Sequence, residues 1–165
     1  MLADKPEQRF NDGRVDAAGR LWVGSLTSDK ARPAATLYRL DPDGALTEIF
    51  GGLTTSNGAA FSPDGRTFYH ADTPTHAIRA FDVDPATGAL GAGRIFHQFP
   101  LGNGRPDGAA VDALGPGPVE VGQRLEAPDV GRTQAPLQAA PGAFGLLPGQ
   151  QLPRPGDPCR VALHV

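Results

Sequence analysis

The protein has 165 residues, a formal net charge of -3 and 39% hydrophobic residues. That length fits one domain or part of a larger one, and the mildly acidic balance gives no reason to expect nucleic acid or an anionic membrane as a partner. No apolar run approaches the roughly 20 residues that cross a bilayer, and the polar first residues lack a signal core. We therefore expect a soluble cytoplasmic protein, in which the single Cys159 forms no intrachain disulfide.

A sequence pattern recurs three times before residue 116. Each copy begins with Asn-Gly, Asp-Gly or Asn-Asp-Gly, continues as a short apolar strand, turns at a glycine and enters a second strand. The turn glycines, Gly19, Gly65 and Gly115, are 46 and 50 residues apart. A period of about 40–50 residues with several strands per unit is typical of β-propeller blades.

Further hairpins lie between these copies. Residues 37–40 alternate between apolar and polar, turn at 41–44 and return through 46–50, while residues 78–83 turn at 84–88 and return through 94–96. Pro and Gly occupy the turns and alternating residues the flanks, as hairpins require. The fold class predicted is all-β, a partial six-bladed propeller of about two to three blades, with no helix of normal length in the first 115 residues.

The chain divides near residue 115. Residues 116–165 hold nine of the 17 prolines and one of the eleven aromatic residues, and the repeat does not continue there. Such a composition buries little core, so we predict a propeller segment over 1–115 and an irregular tail without paired strands over 116–165. The tail is either a natural linker or, as we favour because the repeat stops within a blade, the product of a shifted reading frame.

One polar residue starts the inner strand of each repeat copy: Asn11, Asn57 and Asp107. In a propeller these strands line a central channel, so the three side chains are expected to converge. Carboxylate and amide oxygens are hard ligands suited to Ca²⁺, Mg²⁺ or Zn²⁺. Alternatively, Asn-Gly and Asp-Gly are ordinary turn dipeptides, and only their threefold recurrence in register favours a site.

Three motifs give a family resemblance over residues 9–115. The stretch Arg-Phe-Asn-Asp-Gly at 9–13, Ser-Asn-Gly at 56–58 and Pro-Asp-Gly at 106–108 resemble, in sequence and spacing, motifs of the regucalcin (senescence marker protein)/gluconolactonase family. The resemblance implies a six-bladed propeller that binds one divalent cation (Ca²⁺, Zn²⁺, Mg²⁺ or Mn²⁺) and opens small-molecule lactones. It does not define the oligomeric state, the lactone or the metal.

The same resemblance assigns roles by position. Asn57 and Asp107 match metal ligands, and Asp107 also matches the catalytic proton-transfer residue. Arg9 and Asn11 match substrate-binding residues, whereas Asp29 matches a substrate-contacting acid only loosely and is otherwise a solvated loop residue. A bound cation would polarise the lactone carbonyl, while Asp107 would take the proton of the attacking water.

The departures from the family pattern lower the activity expected of this chain. The family carries a further metal-binding glutamate upstream of the Arg-Phe-Asn motif, and Glu7 is too close to that motif to replace it. We therefore expect a truncated and impaired lactone hydrolase. The alternatives are a calcium-binding propeller without catalysis and a scaffold for protein interactions.

Overall fold

The computed structural model describes residues 2–102, 104–112, 121–122 and 160–164. In these ranges the secondary structure consists of eleven β-strands and one 3₁₀ turn, Thr73–Thr75, with no α-helix. No helix within them is long and apolar enough to cross a membrane. The all-β prediction is therefore confirmed for the described part of the chain.

The first two repeat copies each form a four-stranded antiparallel sheet in which neighbours in sequence are neighbours in space. This simple order follows from short connections that carry turn residues: Asp16 Oδ1 accepts a hydrogen bond from the backbone N–H of Ala18, and Gly19 takes a φ of 80°. Each sheet is one propeller blade. The first contains β1 (Gln8–Val15), β2 (Leu21–Thr27), β3 (Ala35–Leu40) and β4 (Leu46–Leu53), and the second contains β5 (Ser56–Phe61), β6 (Thr67–Asp72), β7 (Ala77–Asp82) and β8 (Arg94–Gln98).

The third copy begins as predicted and then departs from the expectation. Its inner strand, β9 (Ala109–Asp112), pairs antiparallel with β11 (Arg160–His164), which in turn pairs in parallel with the short β10 (Val121–Gly122). The expectation that no part of residues 116–165 forms paired strands is therefore wrong for β10 and β11. Residues 161–163 are three consecutive apolar residues, a run too short to indicate a strand within a segment so rich in proline. The rest of the predicted tail lies outside the described residues.

The core lies between blades. Trp22 of the first blade packs on Phe68 and Phe61 of the second, with ring centroids 5.2 and 5.6 Å apart. Across the second blade, Tyr69 and Ile78 form another apolar cluster, against which Val111 of β9 packs. Aromatic residues of the strands therefore pack between the two blades.

The inner strands are bent where the polar motifs lie. The pairing of β1 with β2 shifts register between Phe10 and Gly13, and that of β5 with β6 shifts between Asn57 and Ala60. Gly58 takes a φ of 59°, and a Cβ there would lie 3.0 Å from the backbone oxygen of Asp107. These dipeptides are therefore bulges rather than turns, and a bulge redirects the side chain beside it.

Candidate functional site

The inner ends of the three repeat copies surround one cavity of about 430 Å³, a size that suits a small ligand. Four of the five residues singled out from the sequence line it: Arg9, Asn11, Asn57 and Asp107. They come from β1, from β5 and from the segment preceding β9. The cavity is also lined by Leu26, Lys30, Thr55, Thr73, Pro74, Arg105 and Pro106.

Asn57 is the buried centre of the group, with 6% of its surface exposed. Its amide nitrogen donates to Oδ1 of Asp107 at 2.7 Å and to the hydroxyl of Thr73 at 3.1 Å. Its amide oxygen accepts the backbone N–H of Gly58 at 3.2 Å. Two repeat copies are thereby joined through one amide, which fixes the orientation of the Asp107 carboxylate.

Asp107 presents its carboxylate to the cavity from an exposed position. The hydroxyl of Thr73 donates to the backbone oxygen of Pro106 at 3.0 Å and so anchors the segment that carries it. Only Oδ1 of Asp107 accepts a hydrogen bond from the residues that the structure describes. Oδ2 is therefore available to water or to a ligand.

Asn11 and Arg9 approach from the first blade. The amide nitrogen of Asn11 donates to the backbone oxygen of Ser56 at 2.9 Å, which leaves its own oxygen directed away from that contact. Arg9 is exposed, and one guanidinium nitrogen donates to the backbone oxygen of Phe10 at 3.3 Å. The remaining N–H groups of this planar fork are free to bind ligand oxygens.

Asp29 does not line the cavity. Its carboxylate pairs with Arg32 at 2.8 Å on the exposed loop between β2 and β3. The hydrogen bond from Arg32 is the main cause that lowers the pKa of this carboxyl below its usual value. A substrate contact by Asp29 stays a prediction.

Two cationic residues of the cavity escaped the sequence analysis. Lys30 follows β2 with a left-handed backbone, φ 50°, and Arg105 precedes the Pro-Asp-Gly motif. Neither belongs to a repeated position, so periodicity could not single them out. The only available signal was that each lies next to a residue already under consideration, Asp29 or Pro106.

A buried histidine and a half-buried aspartate lie on the far side of the cavity-lining residues. His70 is 2% exposed, shares a 2.7 Å hydrogen bond with the Ser56 hydroxyl, and has its pKa lowered to about 3 by burial and, less, by Arg79. Asp72 accepts the backbone N–H groups of Thr55 and Thr54 at 2.7 and 3.1 Å. Burial nevertheless raises the pKa of Asp72 above its ordinary value. These contacts hold the linker between the blades in place.

The cavity offers oxygen donors of the kind that a hard divalent cation takes. They are the Asp107 carboxylate and, after a half-turn of the amide, the Asn57 side-chain oxygen, which would then face the Asp107 carboxylate. Without a cation between them, this rotation would replace the hydrogen bond from the Asn57 amide to Asp107 with repulsion between the amide oxygen and the carboxylate. Within the described residues, no group of three or more His, Cys, Asp and Glu side chains is arranged to hold a metal ion.

Known proteins to which this chain is similar include a lactonase and regucalcins. Over 119 residues the chain is 41% identical to the 6-deoxy-6-sulfogluconolactonase of Pseudomonas putida, which covers 69% of this chain and 40% of that protein. It is 39% identical to the regucalcin of Danio rerio over 114 residues, covering 68% of this chain and 39% of the relative. The chain thus spans about 40% of the length of these curated relatives.

A solved structure and a family description complete the comparison. The crystal structure of a calcium-binding protein, regucalcin, from Agrobacterium tumefaciens superposes with a TM-score of 0.63 at 31% identity, covering 66% of this chain and 37% of that one. Residues 1–117 match the family described as SMP-30/Gluconolactonase/LRE-like region. The chain therefore belongs to the SMP-30/gluconolactonase family.

Proposed function

We propose that the cavity hydrolyses lactones, the cyclic esters of hydroxy acids. The observation that carries this proposal is the convergence of Arg9, Asn57 and Asp107, from three repeat copies, on one cavity of small-molecule size. Membership of a family whose description includes gluconolactonase supports it. The Pseudomonas relative is a sulfogluconolactonase, and this chain spans 40% of that relative's length.

The reaction adds water to an ester carbonyl. The water oxygen bonds to the carbonyl carbon, the ring C–O bond breaks, and the ring oxygen leaves as a hydroxyl after it gains a proton. Asp107 is the proposed general base, because Oδ2 of its carboxylate is free to accept the proton of a water in the cavity. The hydrogen bond from Asn57 holds the carboxylate in position, and the Arg9 guanidinium binds substrate hydroxyls or developing negative charge.

A divalent cation fits the oxygen chemistry of this site, with Asp107 and Asn57 as the residues that would hold it. When bound, such an ion supplies Lewis-acid polarisation of the carbonyl and lowers the pKa of water. Asp107 is the only carboxylate in the described lining, which also contains Arg9, Lys30 and Arg105. Because one carboxylate among three cations attracts a cation weakly, we expect low metal affinity and slow turnover.

The test is proton release from D-glucono-1,5-lactone at high protein concentration, with Ca²⁺, Mg²⁺, Mn²⁺ or Zn²⁺ added in turn. We expect a small rate above spontaneous hydrolysis, which at least one metal increases and Asp107→Asn removes. This substitution keeps the side chain's size, and circular dichroism checks that the β fold is intact. A rate above background that Asp107→Asn leaves unchanged would contradict the proposed role of Asp107.

The second candidate is a calcium-binding protein without catalysis, and it draws on the similarity to the calcium-binding regucalcin of Agrobacterium. Calorimetric titration separates the two. Ca²⁺ binding that Asp107→Asn abolishes, combined with no lactone hydrolysis under any of the four metals, would favour this second function.

A further inference from the structure

We infer that the cavity selects lactones that carry a second, ionised group, and that Lys30 and Arg105 form the subsite for that anion. The inference rests on the proposed function, because it names the substrate class of the same cavity. The shared chemistry of the second group is a negative charge, as in a carboxylate, a sulfonate or a phosphate.

The sign of charge in the cavity is opposite to that of the whole protein. The chain has a formal net charge of -3, yet its cavity is lined by Arg9, Lys30 and Arg105 against the single carboxylate of Asp107. A concave site lined by one sign of charge concentrates ligands of the other sign. A neutral sugar lactone needs hydroxyl partners but leaves this excess of positive charge uncompensated.

Five other Lys and Arg residues in the described part of the chain are held in ion pairs with carboxylates. Those pairs join Lys5 to Glu48, Arg20 to Asp16, Arg32 to Asp29, Arg39 to Asp41 and Arg94 to Asp82. Neither Lys30 nor Arg105 has a carboxylate partner in the described ranges. Their charges are therefore available to a ligand.

The two cations come from separate loops, one after β2 and one before β9. Lys30 is held by a turn in which its backbone N–H donates to the oxygen of Thr27 at 2.9 Å, with a left-handed φ of 50°. That conformation is uncommon for a residue other than glycine, and such outliers concentrate at ligand sites. Arg105 lies two residues before Asp107, so an anion near it lies close to the proposed reaction centre.

The first experiment measures binding to the 165-residue chain without added metal. D-gluconate, with one carboxylate, is compared by calorimetry with D-glucarate, with two, and with 6-phospho-D-gluconate. We expect D-glucarate and 6-phospho-D-gluconate to bind about fivefold or more tightly than D-gluconate, with a preference that declines as NaCl increases. A difference between the two stronger ligands identifies the preferred anion.

Three substitutions assign the preference to its residues. Lys30→Asn removes the charge with a residue that tolerates a left-handed backbone, and Arg105→Gln removes the other charge. Each should lower the preference severalfold, whereas Arg66→Gln, at an exposed arginine outside the cavity, should leave it unchanged. Equal binding of all three ligands, or a preference that survives both cavity substitutions, would overturn the inference.

Measuring KM for two lactones tests the anion subsite separately from the proposed hydrolase function. Lys30→Asn should raise KM for D-glucaro-1,4-lactone about threefold or more beyond any change that it causes in KM for D-glucono-1,5-lactone. Equal effects on both lactones overturn the inference and leave the hydrolase proposal intact. If neither lactone is hydrolysed but the dianion preference depends on Lys30 and Arg105, the anion subsite is supported and the hydrolase proposal fails.

Discussion

His70 is a buried base whose neighbours keep it uncharged. Its ring shares a hydrogen bond with Ser56 and lies against Phe50 and Phe68, with centroids 5.4 and 5.9 Å away. Burial lowers its pKa from 6.5 to about 3. Below pH 6.5 the unfolded chain therefore binds a proton that the folded chain does not, so stability declines as the pH falls from about 6.5 toward 3.

We predict that His70→Phe flattens this pH dependence. One titrating group of this kind contributes a slope of up to about 1.4 kcal/mol per pH unit to the free energy of unfolding. The slope between pH 6 and pH 5, measured by urea denaturation, should be smaller in the variant even if its stability at pH 7 is lower. Parallel curves for the variant and the parent would show that His70 is not the responsible group.

Asn57 and Arg9 have different proposed roles, one in holding the metal ion and one in binding the lactone. Substitutions at the two positions should therefore have different effects. Asn57→Ala removes a neutral oxygen ligand and the hydrogen bond to Asp107, so we expect divalent-cation affinity to fall about tenfold. Arg9→Ala should leave metal affinity unchanged or slightly increased, since it removes a positive charge, and should raise KM for the lactone. Mn²⁺ titration and initial rates measure the two effects, and a shared loss of metal affinity would argue against this division.

At the scale of single residues, the sequence predicted the cavity-lining residues that occupy repeated positions. Asn11, Asn57 and Asp107 occupy equivalent positions in the three repeat copies, so their convergence follows from the propeller geometry, and all three line the cavity. Lys30 and Arg105 lie in loops of unequal length, where no period applies. Their approach to the cavity depends on the course of those loops, which a pattern of residue types does not encode.

At the scale of strands and turns, Arg20 joins the two blades. Its guanidinium pairs with Asp16 at 2.6 Å and donates to the backbone oxygens of Pro85 and Ala86, in the β7–β8 turn of the next blade, at 2.8 and 3.3 Å. Burial opposes ionisation of Asp16, but hydrogen bonds from Trp22 and Arg20 outweigh it and lower the pKa of its carboxyl.

We predict that Arg20→Met destabilises the fold by about 3 kcal/mol, because it leaves the buried Asp16 carboxylate and a turn of the second blade without their partner. Arg94→Met is the matched control. Its pair with Asp82 has side chains 56% and 76% exposed, so its loss should cost about 0.5 kcal/mol or less. Urea denaturation of both variants measures the difference, and equal losses would mean that the blade contact contributes nothing beyond a surface ion pair.

The strands and hairpin turns were the most predictable elements. Alternation over 37–40 and 78–83 and the glycines of the turns fix them locally, so short-range sequence suffices. The bulges at Asn11 and Asn57 were missed, because an Asn-Asp-Gly or Asn-Gly motif has the same composition in a turn and in a bulged strand. Strand β11 was missed because its partner, β9, lies some 50 residues away, and no local signal reports such a pairing.

At the scale of the whole molecule, the two complete blades share one core. Trp22, the single tryptophan of the chain, is fully buried against Phe68 of the second blade, and Phe68 also neighbours Phe81, with centroids 6.3 Å apart. Neither blade can lose this contact without exposing aromatic surface on the other. A four-stranded sheet of this size has no second apolar layer of its own, so we expect the two blades to unfold together.

Phe68→Ala tests this cooperativity, because it empties a fully buried site in the second blade while the fluorescent reporter, Trp22, lies in the first. Removing a buried phenylalanine costs about 3–5 kcal/mol, so the urea midpoint should fall markedly. If the blades form one unit, the midpoints from Trp22 fluorescence and from far-ultraviolet circular dichroism shift together. Phe96→Ala, at a ring 37% exposed that contacts Tyr69, should shift both only slightly. A Trp22 transition that stays at its original midpoint in Phe68→Ala, while the circular dichroism signal splits in two, would mean that each blade folds independently.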